Sequence, residues 1–166
     1  SGGLGARLAR GAPRFAWLLV AFVVGAGAGL LLLGRRSADP LTAERLAEAR
    51  GLWESRGPTD YLLELEMRGT LEDTRVVEVR GGVVLGMTTG GREVAESAWP
   101  YWSVEGLFDT LETELANAER PGSVGAERIA LLARFDPEWG YPSYFYRHFM
   151  GSLNDTEWEV VRFEAR

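Results

Sequence analysis

Twenty consecutive residues without a charge, Phe15 to Gly34, constrain this chain more than any other feature. The run FAWLLVAFVVGAGAGLLLLG carries no strongly hydrogen-bonding side chain apart from the indole of Trp17. At about 1.5 Å of rise per residue a helix over it reaches about 30 Å, the thickness of bilayer hydrocarbon. The flanks fit a span: Arg7, Arg10 and Arg14 precede it, Arg35 and Arg36 follow it, and Trp17 sits at headgroup level. A cleaved signal peptide competes, with Ala26-Gly27-Ala28 as its small residues. The four leucines and two arginines after them read instead as stop-transfer. Ala21, Gly25 and Gly29 recur every fourth residue and so form one smooth stripe, suited either to close helix packing or to nothing beyond GC-rich composition. The expected organisation is a basic tail over 1–14, a transmembrane helix over 15–34, a linker over 35–40 and an extramembrane domain over 41–166.

Charge divides at the same border. Up to Arg36 there are five arginines and no acid; from Ser37 onward thirteen arginines face all 24 acidic residues, a balance of −11. A head of that sign is repelled by nucleic acid and by anionic lipid, so a nucleic-acid partner is not expected. The acid-free first flank, against a second diluted by Asp39, Glu44 and Glu48, favours a cytoplasmic N-terminus and a periplasmic head. The expected location is thus the bacterial inner membrane, with the lipid bilayer itself as a partner.

Missing residue types remove whole chemistries. There is no cysteine, which excludes disulfides, lipoprotein anchoring, thiol catalysis and thiolate metal sites. There is no lysine, which excludes a Schiff base and a Walker phosphate lysine. His148 is the one histidine, too few for the usual zinc cluster. No cofactor or metal is expected.

Beyond the linker the patterning is that of an α+β domain. Asp39-Pro40 reads as a helix start, and Leu46, Ala49 and Trp53 continue at helical spacing to a stop at Gly57-Pro58. Tyr61, Leu63, Leu65 and Met67 alternate with Leu62, Glu64, Glu66 and Arg68 as a half-buried strand. Arg75 to Arg80 and Val83 to Thr88 flank a Gly81-Gly82 turn, as in a hairpin. Ser103 caps a second helix bearing Leu107, Phe108, Leu111 and Leu115 and ending at Pro121-Gly122. Three strands follow, Ile129 to Phe135, Tyr144 to Phe149, and one around Trp158, Val160, Val161 and Phe163. The expectation is an antiparallel sheet with two helices on one face.

Trp53, Asp60-Tyr61, the hairpin around Gly82-Val83, Leu107-Phe108, Phe135-Asp136, Gly140-Tyr141-Pro142 and Asn154-Asp155 together resemble an uncharacterised bacterial domain-of-unknown-function family of small envelope-anchored proteins. The resemblance runs from Leu46 to Phe163, and Gly-Tyr-Pro with its preceding aspartate is its most specific part. The chain departs from that family in lacking a cysteine pair on the early strands, and in placing Arg147, His148 and Phe149 where an aspartate often follows the turn. The resemblance implies an envelope location and a fold, and no activity.

Among candidate sites, His148 with Asp136, Glu138 or Asp155 could serve as a base or a ligand, as Glu64 and Glu66 could as a hydrolytic carboxylate pair, and a surface or packed histidine explains His148 as well. Glu64 and Glu66 share a strand face that alternation with leucine already accounts for, and Gly81-Gly82 and Gly90-Gly91 need only be turns. The aromatic residues Trp99, Tyr101 and Trp102, with Trp139, Tyr141, Tyr144, Tyr146 and Phe149, either fill the core or anchor an interface. No catalytic residue is assigned. The reading that follows is a non-catalytic accessory subunit of a bacterial membrane complex, held by its helix and its aromatic segments. By analogy the setting is an energy-transducing one, a photosynthetic reaction centre with its light-harvesting ring or a respiratory complex. The alternative is a free envelope-anchored module that binds a small ligand or peptide.

Overall fold

A computed structural model of the chain describes residues 38–69, 72–120, 129–151 and 155–166. The expected tail, the span and its stripe of Ala21, Gly25 and Gly29 lie outside these residues. Among the described residues no helix is long and apolar enough to cross a membrane.

The elements follow in the order β1 (Asp39–Pro40), α1 (Ala43–Arg56), β2 (Tyr61–Gly69), β3 (Asp73–Arg80), β4 (Val83–Thr89) and β5 (Arg92–Glu93). A 3-10 segment (Glu96–Trp102), α2 (Val104–Glu119), β6 (Ile129–Phe135), β7 (Pro142–Phe149) and β8 (Thr156–Ala165) complete them. The strands form one antiparallel sheet in the order β1-β6-β7-β8-β2-β3-β4-β5. The domain is therefore α+β, and its sequence of helix, three strands, helix, three strands is the expected one with two short edge strands added.

One expectation is corrected. Asp39 and Pro40 do not start α1; they pair with Ala133 and Leu132 as edge strand β1, although they fall within the expected linker. Proline lacks the N–H that an inner strand would need, so the rim of a sheet accepts it as readily as a helix start does. The cap is Thr42, whose hydroxyl accepts from the Arg45 N–H at 3.3 Å. At the other end the Gly57 N–H closes on the Trp53 carbonyl at 2.6 Å before Pro58 stops the helix.

Period-two alternation builds the sheet. Tyr61, Leu63, Leu65, Val77, Val79, Ala133, Phe145 and Trp158 turn to one side, where they share a single core with Leu46, Ala49 and Trp53 of α1 and Val104, Leu107, Phe108 and Leu111 of α2. Three bulges, at Val161, Leu85 and Ser143, interrupt the alternation. The first explains why Trp158, Val160 and Phe163, which do not share one parity, all pack toward the core. Gly81-Gly82 and Gly90-Gly91, with φ of +55° and +74° and of +55° and +76°, are hairpin turns in the left-handed region.

Gly140 is held by two constraints at once. Its φ is +84°, and a Cβ there would run into the Ala49 carbonyl oxygen on α1. Gly140→Ala is expected to lower unfolding stability by at least about 2 kcal/mol. Gly86→Ala, where an added Cβ meets nothing within 4 Å, should stay within about 1 kcal/mol of the parent. Paired urea titrations check both.

Candidate functional site

The aromatic candidates separate into three environments. Trp139 and Tyr141 belong to a wedge around Phe163: Tyr141 stacks on it at 4.4 Å, and Trp139 meets it edge-on at 5.2 Å. Tyr61 stacks on the same ring at 5.3 Å and Trp53 approaches it edge-on at 6.0 Å. The turn that delivers Trp139 and Tyr141 is set by Asp136, whose carboxylate accepts from the N–H groups of Glu138 and Trp139 at 2.9 Å. Backbone bonds from Asp136 N–H to the Tyr141 carbonyl and from Gly140 N–H to the Asp136 carbonyl close it. The Gly-Tyr-Pro motif and its aspartate thus have a structural role, docking the β6–β7 turn onto α1.

A second group lies along the 3-10 segment. The Trp99 indole donates to the Val94 carbonyl at 2.8 Å, and Trp102 lies under the Arg75 guanidinium at 3.6 Å. Burial lowers the Arg75 pKa, against the raising influence of Asp73. Tyr101 alone of the eight candidates is widely open, at 65 %. The sequence signal for the Arg75 contact is its parity: it falls on the inward side of a strand otherwise occupied there by Val77 and Val79. Arg147, of the same parity as Phe145 and Phe149, likewise turns toward α2, where it pairs with Glu114 and lies 5.2 Å from the Phe149 ring.

Tyr144 and Tyr146 occupy the opposite face of the sheet, with Arg134, His148, Glu157, Glu159, Glu64 and Glu66. Arg134 pairs with Glu159 at 2.7 Å and stands over the Tyr144 ring at 5.2 Å. Arg68 reaches Glu66, Glu157 and Glu159 at 3.0, 3.5 and 3.4 Å. Glu64 and Glu66 are therefore part of a solvated, cross-strand array of opposite charges. Tyr144 titrates above its ordinary value, first through burial and then through Glu157.

Of the three acids considered beside His148, Asp155 meets it, at 2.7 Å from Nδ1. The Tyr146 hydroxyl donates to the other oxygen of Asp155 at 3.0 Å. Asp136 and Glu138 follow the far end of β6, about 20 Å along the strand direction by strand rise. The cluster ties β7 to the residue that precedes β8 through these two hydrogen bonds. Among the described residues no group of three or more potential metal ligands comes together.

Sequence reasoning missed the polar node built on the buried Tyr61. The Tyr61 hydroxyl accepts from the Val104 N–H at 3.0 Å and donates to Glu105 at 3.2 Å, while the Trp53 indole donates to the other Glu105 oxygen at 3.0 Å. Burial, and secondly the Glu105 charge, push the tyrosine pKa far above its ordinary value. Glu105 lies in the first turn of α2, where a carboxylate also complements the helix dipole. A cavity of about 240 Å³ opens beside it, between Arg50, Trp53, Pro58 and Phe108. Nothing in one-dimensional spacing brings Trp53, Tyr61 and Glu105 together, since each sits on a different element.

No protein-family model, no curated protein and no solved structure matches this chain. Of the motif residues in the sequence, Trp53, Asp60, Tyr61, Asp136, Gly140 and Asp155 each take part in contacts within the fold. Asp60, for instance, accepts from the Gly81 N–H through its side chain and from the Arg166 N–H through its carbonyl.

Two outcomes are expected. Tyr61→Phe leaves the buried Val104 N–H without an acceptor and should cost about 1–3 kcal/mol in urea unfolding. The Asp155 carboxyl is held below its ordinary value chiefly by the hydrogen bond from His148. Its stabilising contribution is present above the ordinary aspartate range and is lost as pH falls through the depressed native value. In His148→Ala, carbon-detected NMR titration should show the Asp155 midpoint rising; an unchanged midpoint would remove the histidine as the cause.

Proposed function

We propose that this chain is a non-catalytic accessory subunit of a bacterial membrane complex, tethered by Phe15 to Gly34 and docked through its extramembrane domain. The observation that carries the reading is the uneven cover of the sheet: both α-helices bury their apolar residues in the core on one side, while among the described residues no helix covers the β6–β7–β8–β2 part of the other side, whose side chains are half-buried only by one another. That open face is broad, lies on rigid strands and presents Tyr144, Tyr146, Arg134 and Arg68. Tyrosine and arginine are the side chains that most often dominate binding energy at protein interfaces. The ion pairs of Arg68 and Arg134 with Glu66, Glu157 and Glu159 keep the face soluble until a partner covers it.

The uncharged run in the sequence supplies the tether, and the −11 balance of the remainder supports a periplasmic placement away from the anionic cytoplasmic leaflet. The energy-transducing setting, photosynthetic or respiratory, is carried over by analogy with other small single-span subunits. Extraction from the native membrane in mild detergent, followed by mass spectrometry of co-migrating proteins, is expected to recover a stoichiometric membrane partner. The double variant Tyr144→Ala, Tyr146→Ala should retain its fold and lose that partner at least about 30-fold, the cost of one strong anchor of about 2 kcal/mol. Recovery of the chain by itself at native expression would sink the reading.

A further inference from the structure

The two edges of the sheet are finished differently. At one, β1 places Pro40 on the rim, and the Leu41 N–H donates to the Leu131 carbonyl at 2.9 Å. At the other, β5 pairs only with Thr88 and Thr89, and the Val94 N–H reaches the Met87 carbonyl at 3.2 Å. The chain then leaves the sheet for the 3-10 segment. Among the described residues no strand lies beside Val83–Gly86 of β4, so their outward backbone groups are a template for one more strand. Val83 and Leu85 are 63 % and 58 % exposed there, although unpaired edges are ordinarily blunted by charge.

The departure of the chain after Val94 opens a groove of about 470 Å³ between β4 and Ala95–Glu96. Leu62, Val76 and Leu85 line it with Trp99, and Gly86 contributes no side chain, an added Cβ there meeting only open space. The bulge at Leu85 takes that side chain out of the regular alternation of the strand. Three carboxylates stand around this apolar lining. Glu78 is neutralised by Arg80 at 3.3 Å and Arg166 at 2.7 Å, whereas Glu93 and Glu96 have no ion pair among the described residues. Arg92, at the hairpin tip, is the cation next to them in sequence.

We infer that this groove takes an extended peptide segment of a partner protein that carries apolar and basic residues. An open strand edge supplies the main-chain hydrogen bonds that such a segment needs, and an apolar trough beside it accepts alternate side chains. The unpaired Glu93 and Glu96, in a domain that is itself strongly acidic, select a cationic partner and reject an acidic one. Anionic lipid is disfavoured for the same reason. The inference rests on the docking reading above and adds the chemistry of the partner.

The test uses the full chain in non-ionic detergent with two capped seven-residue peptides, one alternating valine with lysine and the other valine with glutamate. The lysine peptide is expected to bind at least tenfold more tightly at low salt, with its affinity falling as salt rises. Gly86→Trp, which fills the groove from an unobstructed position, should abolish binding without changing the unfolding midpoint. Glu93→Gln with Glu96→Gln, both on exposed residues, should weaken binding about tenfold and flatten its salt dependence, and this pair decides the matter if the tryptophan variant fails to fold. Equal affinity for the two peptides, no binding at millimolar concentration, or binding indifferent to the glutamine pair overturns the inference. Binding of butylguanidinium where neither peptide binds assigns the groove to a small cation and overturns it equally. A partner that still co-purifies from the native membrane after such a failure leaves the docking reading standing, so the two fail separately.

Discussion

The ladder between β2 and β8 is the constraint on which the rest of the domain depends. β2 begins the first three-stranded meander and β8 ends the second, and their pairing, Tyr61 with Ala165 through Gly69 with Thr156, welds the two into one sheet. Residues so distant in sequence meet only after a large loop has closed, so this pairing adds long-range order that no hairpin supplies. The bulge at Val161 within it sets the phase of everything nearby. Without that extra residue Phe163 would turn to solvent, and the wedge of Trp53, Tyr61, Trp139 and Tyr141 would have no ring to close on.

From that seam the packing follows outward. Tyr61 starts β2 and is at once a stacking partner of Phe163 and the acceptor for the first N–H of α2, so the sheet and the second helix are positioned by one side chain. Trp53 brings α1 to the same place through Glu105. The buried Tyr61 and Trp53 are satisfied at each of these contacts through the exposed Glu105, which makes the node specific about geometry where an aliphatic core would tolerate sliding. Gly140 completes the arrangement, because only a residue without a side chain lets the β6–β7 turn approach the backbone of α1.

Because both α-helices contribute to one core, no helix among the described residues covers the other face of the sheet. Charges of both signs interleave across β6, β8 and β2, so the face resists collapse onto itself and needs a complementary surface to be covered. The edge of β4, open among the described residues, is different in character: apolar, with two acids that have no ion pair among those residues. The face lies on strands and the groove has β4 as one wall, and strands hold side chains more rigidly than loops do and lose less entropy on binding.

The element order was legible because periodicity is local: Leu46, Ala49 and Trp53 at helical spacing, and Tyr61, Leu63 and Leu65 at strand spacing, each report their own buried face. Ser103 before Leu107 and the double glycines between valine-rich strands were equally readable as cap and turns. Asp39-Pro40 misled because proline suits a helix start and a sheet rim alike, and the choice was made by Leu131, Leu132 and Ala133, some ninety positions later. The aromatic residues could be recognised as notable but not sorted, since the difference between Tyr141 in a stack and Tyr101 in solvent depends on neighbours from other strands. What this sequence determined alone is the division into an uncharged run and an acidic α+β portion, because hydropathy, charge and period are properties of short windows. Strand order, the bulges, the Trp53–Tyr61–Glu105 node, the open face and the unpaired edge were decided only in three dimensions, because each depends on which distant backbone pairs with which and in what register.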